Sequence, residues 1–353
     1  MNKSIIFTGK GKAELLDTEL NEPPKGYVRV KVVRSCVSSG TERANIIGLP
    51  NRCVGIQISK NPDDKVSWPR RSGYSTSGIV DAVGEDVEGL KVGDRVAMSW
   101  TLHTQYINIP ASQAYLLPDN VSFQDAAFTH ISTFPMAAIR KCRLEIGEGA
   151  IVMGQGILGQ LAVILLKAAG AAPVIAADPV AEKRAQALSI GADAALDPTA
   201  EDFADKAREL CGCSRLTANQ FYDCSGPQVA IEVTGSGKAL DNALDAIAPF
   251  GRVALLGCTR DSNFTIDYYH KVHGRGVTLI GAHSLARPKQ ESSSGYWTTR
   301  DDARTFIRLL SLKRFSLDAL NVDVHSPLEC GEVYARLASG TPFPTTQFDW
   351  TTL

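Results

Sequence analysis

The segment AIVMGQGILGQLAVILLKAAG, residues 150–170, constrains the fold more than any other part of the chain. A short apolar run leads straight into Gly154, Gly156 and Gly159, and a helical apolar pattern follows at once. In that context the first glycine permits a tight turn and the second lets a pyrophosphate approach the backbone. The third lets helix and strand pack closely. Amides at the start of such a helix have no partner inside it, and the helix dipole favours negative charge there. The same texture continues downstream. APVIAAD, VAIEVTG and GRVALLG read as buried strands that end in polar or glycine residues. Amphipathic helices such as AEKRAQALSIG and GKALDNALDAIAPFG separate them. Strands alternating with helices imply an α/β architecture, a parallel sheet covered on both faces.

The strand after the glycine turn ends at Asp178, nineteen residues past Gly159. A carboxylate there can accept hydrogen bonds from both ribose hydroxyls and would repel a 2′-phosphate, so NAD is expected over NADP. Lys183 and Arg184 pull the other way, since a basic residue nearby could meet a phosphate. Gln155, Ile157 and Leu158 within the turn, with Lys183, Thr234 and Gly257 at or after later strand ends, complete the expected cofactor contacts. The plain alternative is a glycine turn with no ligand.

A length of 353 residues favours two domains. Residues 1 to about 120 read as short strands and turns, with GYVRVKVVRSCV alternating as a half-buried strand does. Pro118-Asp119 closes that region, and Ser122 is placed to cap a helix beginning near Gln124. Lys plus Arg is 37 and Asp plus Glu is 38, a balance that offers neither nucleic acid nor an anionic membrane an electrostatic handle. The longest apolar runs, such as 159–172, are interrupted by Gln160 and Lys167 and fall short of a membrane span, and the first residues lack the pattern of a secretory signal. The eight scattered cysteines read as reduced thiols in a cytoplasmic protein. Only Cys211 and Cys213 lie close together, and no further Cys or His nearby would complete a metal site.

Several pieces occur together and in one order: VRVKVVRSCVSSGTE, SGIVDAVGEDVEGLKVGDRV, GQGILG, VIAADPVAEKRAQALSIGAD, VAIEVTG and GRVALLG. On these the chain resembles the medium-chain dehydrogenase/reductase superfamily, the alcohol dehydrogenase-like enzymes, over most of residues 25 to 285. The resemblance implies a GroES-like β-barrel catalytic domain over 1–120, with 285–353 returning to it. It implies a Rossmann NAD-binding domain, a doubly wound parallel sheet, over 121–284. It also implies a homodimer or homotetramer formed through the Rossmann sheets, and a small-molecule substrate.

The departures from the family are as informative. Zinc-dependent members carry a Cys in GICGTD. Here the stretch is CVSSGTE, which puts Ser39 at the ligand position when aligned on Gly40-Thr41-Glu42, and Ser38 there when counted from the strand. The His of the family's GHE is Tyr74, and the third ligand position falls near His130. One His does not make a catalytic zinc site, so no metal is expected. No cysteine lies between Cys53 and Cys142, so the structural zinc lobe is missing too. The resemblance gathers Ser38, Ser39, Thr41, Tyr74 and His130 around the former metal position. Thr41 matches a hydroxyl that relays the substrate proton in zinc-dependent members. Hydroxyl and imidazole groups are then what remains to exchange a proton, with His130 or Tyr74 as the acid–base residue. His103 matches a position that packs the barrel. Through SSGTE, residues 38–42, the chain resembles the zinc-free SxGTE subgroup, the bacteriochlorophyllide-type dehydrogenases, which implies oxidation of a secondary alcohol to a ketone.

The polar loop RPKQESSSGYWTTRDD, residues 287–302, holds Tyr296 and Trp297 and would suit a polyhydroxylated ligand stacked on an indole. His283 is the third substrate-contact candidate. Together these features lead us to expect an NAD-dependent, zinc-independent oxidoreductase acting on a sugar, polyol or glycoside. Two alternatives stand beside it: an NADPH-dependent reductase of an activated double bond or quinone, and a non-catalytic nucleotide-binding protein.

Overall fold

The structure, a computed structural model, describes residues 1–49, 67–212, 225–258 and 263–353. Cys53, Cys213 and Cys224 lie outside the described residues, so the Cys211–Cys213 pair is followed no further. Two compact units are present: Met1–Ile131 with Ala303–Lys313 and Asn321–Leu353, and Ser132–Asp302 with Arg314–Leu320.

In the first unit the strand Tyr27–Cys36 is the organiser. Val28, Val30 and Val32 point into the core while Arg29 and Lys31 point away, as the alternation requires. The strand pairs antiparallel with Ser75–Val83, Tyr106–Pro110 and Thr346–Asp349. Its register slips between Val32 and Arg34. That extra residue re-aims the end of the strand, and from Ser35 to Ser38 every residue is buried. The helix Ser39–Ile46 follows directly. A second sheet of three strands is ordered Lys12–Thr18, Asn2–Gly9, Arg70–Arg71. The expected helix after Pro118-Asp119 is Phe123–Ala126, where Ser122 Oγ accepts the Asp125 amide at 3.0 Å. A longer helix, Thr129–Lys141, follows it.

The second unit holds six parallel strands ordered Ala194–Leu196, Val174–Ala177, Ala150–Met153, Val229–Glu232, Arg252–Leu255 and Thr278–Gly281. The order reverses beside Ala150–Met153, and ligands of such sheets bind at the carboxyl ends of the strands near that reversal. Helices Ile157–Ala168, Ala181–Ser189 and Gly237–Ala246 supply the covering layers. The unit begins at Ser132, not at 121, and the chain leaves it at Asp302, not at 284. The second correction has a plain cause. Asp302 is fully buried, accepts Arg140 Nε at 2.8 Å and lies 3.5 Å from the Arg287 guanidinium, so ion pairing fastens residues 285–302 to this unit. Among the described residues no helix is long and apolar enough to cross a membrane.

Candidate functional site

The glycine turn is shaped as a cradle. Gly154 has φ 97°, a left-handed conformation, and a Cβ there would come within 2.6 Å of Thr234 Cγ2. A Cβ on Gly159 would stand 1.8 Å from the Gly154 carbonyl oxygen, so only glycine lets this helix pack on its strand. Gly156 differs, because a Cβ there meets nothing within 4 Å. The space over Gly156 is open, as close approach by a pyrophosphate requires. Gly156 caps the helix without a side-chain bond, leaving the first helical amides, those of Ile157 and Leu158 among them, to a ligand. These residues fit a dinucleotide.

Asp178 sits at the tip of the neighbouring strand, almost wholly buried. Its Oδ2 accepts the Gln155 amide at 2.8 Å and its Oδ1 the Val180 amide at 2.9 Å. Each oxygen keeps a lone pair for a further donor. Lys183 Nζ stands 3.9 Å from Oδ2. Arg184 is committed elsewhere, to the carbonyls of Asp178 and Pro179 and to Asp197 at 3.1 Å. The Gln155 side chain turns inward onto the Val152 carbonyl, and its backbone amide is held by Asp178. Glu232, which the sequence reading passed over, organises the next strand end. The Thr234 amide donates to it at 2.7 Å, and the Thr234 hydroxyl and the Gly235 amide also donate. Burial pushes the Glu232 carboxyl up from its ordinary pKa. An acidic residue closing an otherwise apolar strand was the signal for it. Gly257 packs on the same turn, where a Cβ would lie 2.2 Å from the Gly235 nitrogen.

In the first unit the structure brings Ser38, Thr41, Tyr74 and His130 together. The Tyr74 hydroxyl donates to Ser38 Oγ, and the Thr41 hydroxyl also hydrogen-bonds it. Ser75 Oγ, next in the chain, donates to the Ala127 carbonyl at 2.6 Å and accepts the Ile131 amide at 3.3 Å, which fixes the segment bearing His130 beside Tyr74. The buried His130 ring lies 5.6 Å from the Tyr74 ring and 4.5 Å from that of Trp100, edge to face in both cases. Of the two candidate serines, Ser38 meets Tyr74; Ser39 opens the helix Ser39–Ile46. Burial drives the Tyr74 phenol well above its ordinary pKa. The Ser38 hydrogen bond opposes that, while the Glu42 carboxylate adds to it.

Behind these groups lies a network that sequence reasoning missed. Glu42 is fully buried, and its Oε1 accepts the Ser38 amide at 2.7 Å. Its Oε2 meets His103 Nε2 at 3.1 Å and accepts the Tyr334 hydroxyl. His103 Nδ1 pairs with Ser35 Oγ at 2.8 Å, and Trp350 Nε1 donates to the same oxygen at 2.8 Å. His103 is thus part of the barrel's packing, as its position implies, and a polar member of it.

The same geometry tests whether zinc suits this place. Ser38, Tyr74 and His130 offer two protonated hydroxyls and one imidazole. Burial and the Glu42 carboxylate hold the nearby Cys36 thiol well above its ordinary pKa. Among the described residues no cluster of three or more His, Cys, Asp or Glu side chains could hold a metal. The residues do not fit a catalytic zinc.

The three substrate candidates belong to the second unit. The Arg140 guanidinium lies 3.6 Å over the Trp297 ring, and Lys141 Nζ is 5.8 Å from the Tyr296 ring centroid. One face of Trp297 is therefore taken by a cation. His283 Nδ1 accepts the Leu285 amide at 3.2 Å, and burial, with Lys141 nearby, lowers its pKa so that it stays neutral. Arg140 and Lys141 close the helix Thr129–Lys141 at the end opposite His130.

Comparison with known proteins bears on the fold and the family. A family model for the alcohol dehydrogenase GroES-like domain matches residues 26–119, and one for the zinc-binding dehydrogenase matches residues 158–296. The chain is 24% identical over 319 residues to L-threonine 3-dehydrogenase of Pyrococcus horikoshii, covering 80% of this chain and 83% of that one. It is 27% identical over 305 residues to D-guloside 3-dehydrogenase of Shigella flexneri, covering 82% and 83%. The crystal structure of galactitol-1-phosphate dehydrogenase from Escherichia coli shares the fold with a TM-score of 0.78 at 21% identity, covering 98% of this chain and 99% of that one.

Proposed function

The chain belongs to the medium-chain, alcohol dehydrogenase-like superfamily of nicotinamide-dependent enzymes, and on that premise we propose that it is an NAD-dependent, zinc-independent oxidoreductase that interconverts a secondary alcohol and a ketone on a sugar, polyol or glycoside. One observation carries the reading: Ser38, Thr41, Tyr74 and His130 converge where a metal would otherwise polarise the oxygen. The nicotinamide, when bound, supplies the hydride chemistry. The chain's own residues must handle the hydroxyl proton. Tyr74 keeps its proton; when substrate binds, its hydroxyl turns that proton from Ser38 Oγ to the reacting oxygen, and Ser38 and Thr41 then donate to the phenol oxygen. His130 is then the base that takes the alcohol proton and returns it in the reverse direction. Relatives named for acting on threonine at position 3 and on a guloside at position 3 support a secondary alcohol as the reacting group.

Asp178 supports NAD, because its carboxylate can accept ribose hydroxyls and would repel a 2′-phosphate. Lys183, 3.9 Å from it, is the observation that favours NADPH and with it reduction of an activated double bond or quinone. A homodimer or homotetramer is supported by the outer strand Thr278–Gly281, which pairs on one side only among the described residues and exposes Leu279. The buried free thiols Cys36, Cys142 and Cys330 support a cytoplasmic location.

The test is NADH formation across a panel of sugars, polyols and glycosides, before and after dialysis against a chelator. Activity that survives the chelator is expected, and activity lost and restored by zinc would overturn the metal-free reading. The double variant Tyr74→Phe/His130→Phe should lose turnover while its NADH affinity stays unchanged; undiminished turnover would refute the assignment.

A further inference from the structure

A cavity of about 440 Å³ lies in the first unit, and nothing in the proposed chemistry uses it. Its size is that of a small-molecule site. The buried and half-buried residues Leu90, Ala114, Tyr115 and Ile307 form its base. Leu90 sits on the turn between the strands Ser75–Val83 and Arg95–Ser99. Ala114 and Tyr115 come from the short strand Ala114–Leu116, and Ile307 from the part of the helix Thr299–Ser311 that belongs to this unit. This base is fixed from behind. Tyr115 and Ile307 share one small core with Ala97 and Leu117, and Ser99 Oγ donates to the Tyr115 hydroxyl at 3.2 Å. Leu90 and Ala114 pack on the barrel core. Two exposed and opposite charges complete the lining, Glu88 on the turn and Arg304 on the helix. Among the described residues neither side chain has a hydrogen bond or an ion pair, with the other or with anything else. Their neighbours do better. Asp86 pairs with Lys25 at 2.5 Å, and Arg300, one turn before Arg304, lies 3.7 Å from Asp301.

We propose that this cavity binds a free α-amino acid with an aliphatic side chain. Such a molecule is a zwitterion near neutral pH and offers what each part of the cavity lacks. The planar guanidinium of Arg304 matches its carboxylate, with two parallel hydrogen bonds. The Glu88 carboxylate accepts its ammonium group. Its side chain covers Leu90, Ala114 and Ile307 and takes their apolar surface out of water. A simple carboxylate would leave Glu88 facing a like charge, and a simple amine would do the same to Arg304. A residue within a peptide carries neither charge. No member of the Tyr74–His130 cluster lines the cavity, so the amino acid is here a ligand and not the alcohol that is oxidised. The inference goes beyond the oxidoreductase reading and stands independently of it.

The experiment is calorimetric titration of the full chain with L-leucine, glycine, 4-methylpentanoate and 3-methylbutylamine. L-Leucine should bind one to one with Kd below about 1 mM. Glycine, which lacks the apolar part, should bind about tenfold more weakly or worse. The acid and the amine, which each lack one charge, should also lose about tenfold or more. Arg304→Gln and Glu88→Gln should each weaken L-leucine by a similar factor. Both side chains are exposed and unpaired, so these substitutions leave the fold intact. The losses should not add. In Arg304→Gln the advantage of L-leucine over 3-methylbutylamine should vanish, and in Glu88→Gln its advantage over 4-methylpentanoate should vanish. A wild-type Kd for L-leucine above about 1 mM would overturn the proposal. So would affinity that both substitutions leave unchanged, which puts the amino acid elsewhere, or glycine bound as tightly as L-leucine, which leaves the apolar base unused.

Discussion

The glycine turn Gly154–Gly159 and the cluster around Tyr74, the places proposed to hold the cofactor and the substrate, are made of different material. The turn is backbone: two glycines whose missing side chains leave room, and helix amides without a partner. Its parts lie within six residues of sequence. The cluster is side chain, and its support comes from far away. Glu42 finds His103 sixty-one residues on and Tyr334 two hundred and ninety-two residues on. A backbone site is defined by what must be absent. A side-chain site depends on a framework of hydrogen bonds that every member must satisfy.

The strongest way to break the comparison is at Gly159. With a Cβ placed 1.8 Å from the Gly154 oxygen, no side-chain movement relieves the clash. Gly159→Ala should lose NADH binding and destabilise the unit by about 4 kcal/mol or more, read from the denaturation midpoint. Gly156→Ala makes the informative contrast. Nothing lies within 4 Å of its Cβ, so stability should hold within about 0.5 kcal/mol. The methyl group would instead occupy the approach to the pyrophosphate and weaken NADH binding by about tenfold or more. Normal NADH affinity in Gly156→Ala would mean that the ligand does not use this cradle.

Next in size is Glu42. Removing a buried carboxylate that satisfies a backbone amide, an imidazole and a phenol should cost about 3–5 kcal/mol in Glu42→Ala. Glu42→Gln should cost less, about 1–3 kcal/mol, because the amide oxygen still accepts while the amide nitrogen faces donors. Both should lower turnover more than NADH affinity, since Ser38 is anchored through Glu42. Equal loss of both properties would show that the barrel framework and the cofactor cradle are not separable.

This contrast explains what could be read in advance. The alternation of Val28, Val30 and Val32, the glycine turn and the Ser122 cap are local patterns with local causes, and the fold class followed from them. Tyr74, Ser38, Thr41 and His130 could be gathered only through the family resemblance, since nothing in their spacing brings them together. Glu42 entered only as part of the aligned Gly40-Thr41-Glu42, because its partners are set by tertiary packing. The loop at 287–302 shows a related limit of composition, which does not say which charges are already paired; Arg287 and Asp302 are.

A smaller effect sharpens the role of Tyr74. Burial favours its neutral form, with Cys36 and Glu42 facing it, so the folded chain holds this proton more tightly than the unfolded chain does. Its contribution to stability is fully present below the ordinary tyrosine pKa of about 10 and declines as pH rises from there toward the higher folded value. Ketone reduction by the wild type should accordingly show no alkaline fall at an ordinary tyrosine pKa. Tyr74→Phe should lower kcat/KM by about a hundredfold at every pH. A wild-type limb near pH 10 that vanishes in Tyr74→Phe would show an ordinary phenol and remove the donor role.

The smallest expected effect falls on the cofactor side, at Lys183. Its Nζ is 3.9 Å from Asp178 Oδ2, partly exposed and long for an ion pair. Exposed pairs of this kind contribute about 0–1 kcal/mol, so Lys183→Ala should change KM for NAD by no more than about threefold. The ratio between cofactors is the sharper measurement. If Asp178 decides the preference, Lys183→Ala leaves NAD favoured, while Asp178→Ser raises the relative efficiency with NADP by about tenfold, because the repulsion of a 2′-phosphate is gone. If Lys183 decides it, the wild type prefers NADP and Lys183→Ala abolishes that preference. That outcome would move the chain toward the double-bond or quinone reductase reading. The cradle itself would stand, because the glycines serve either dinucleotide equally and the two differ only at the ribose.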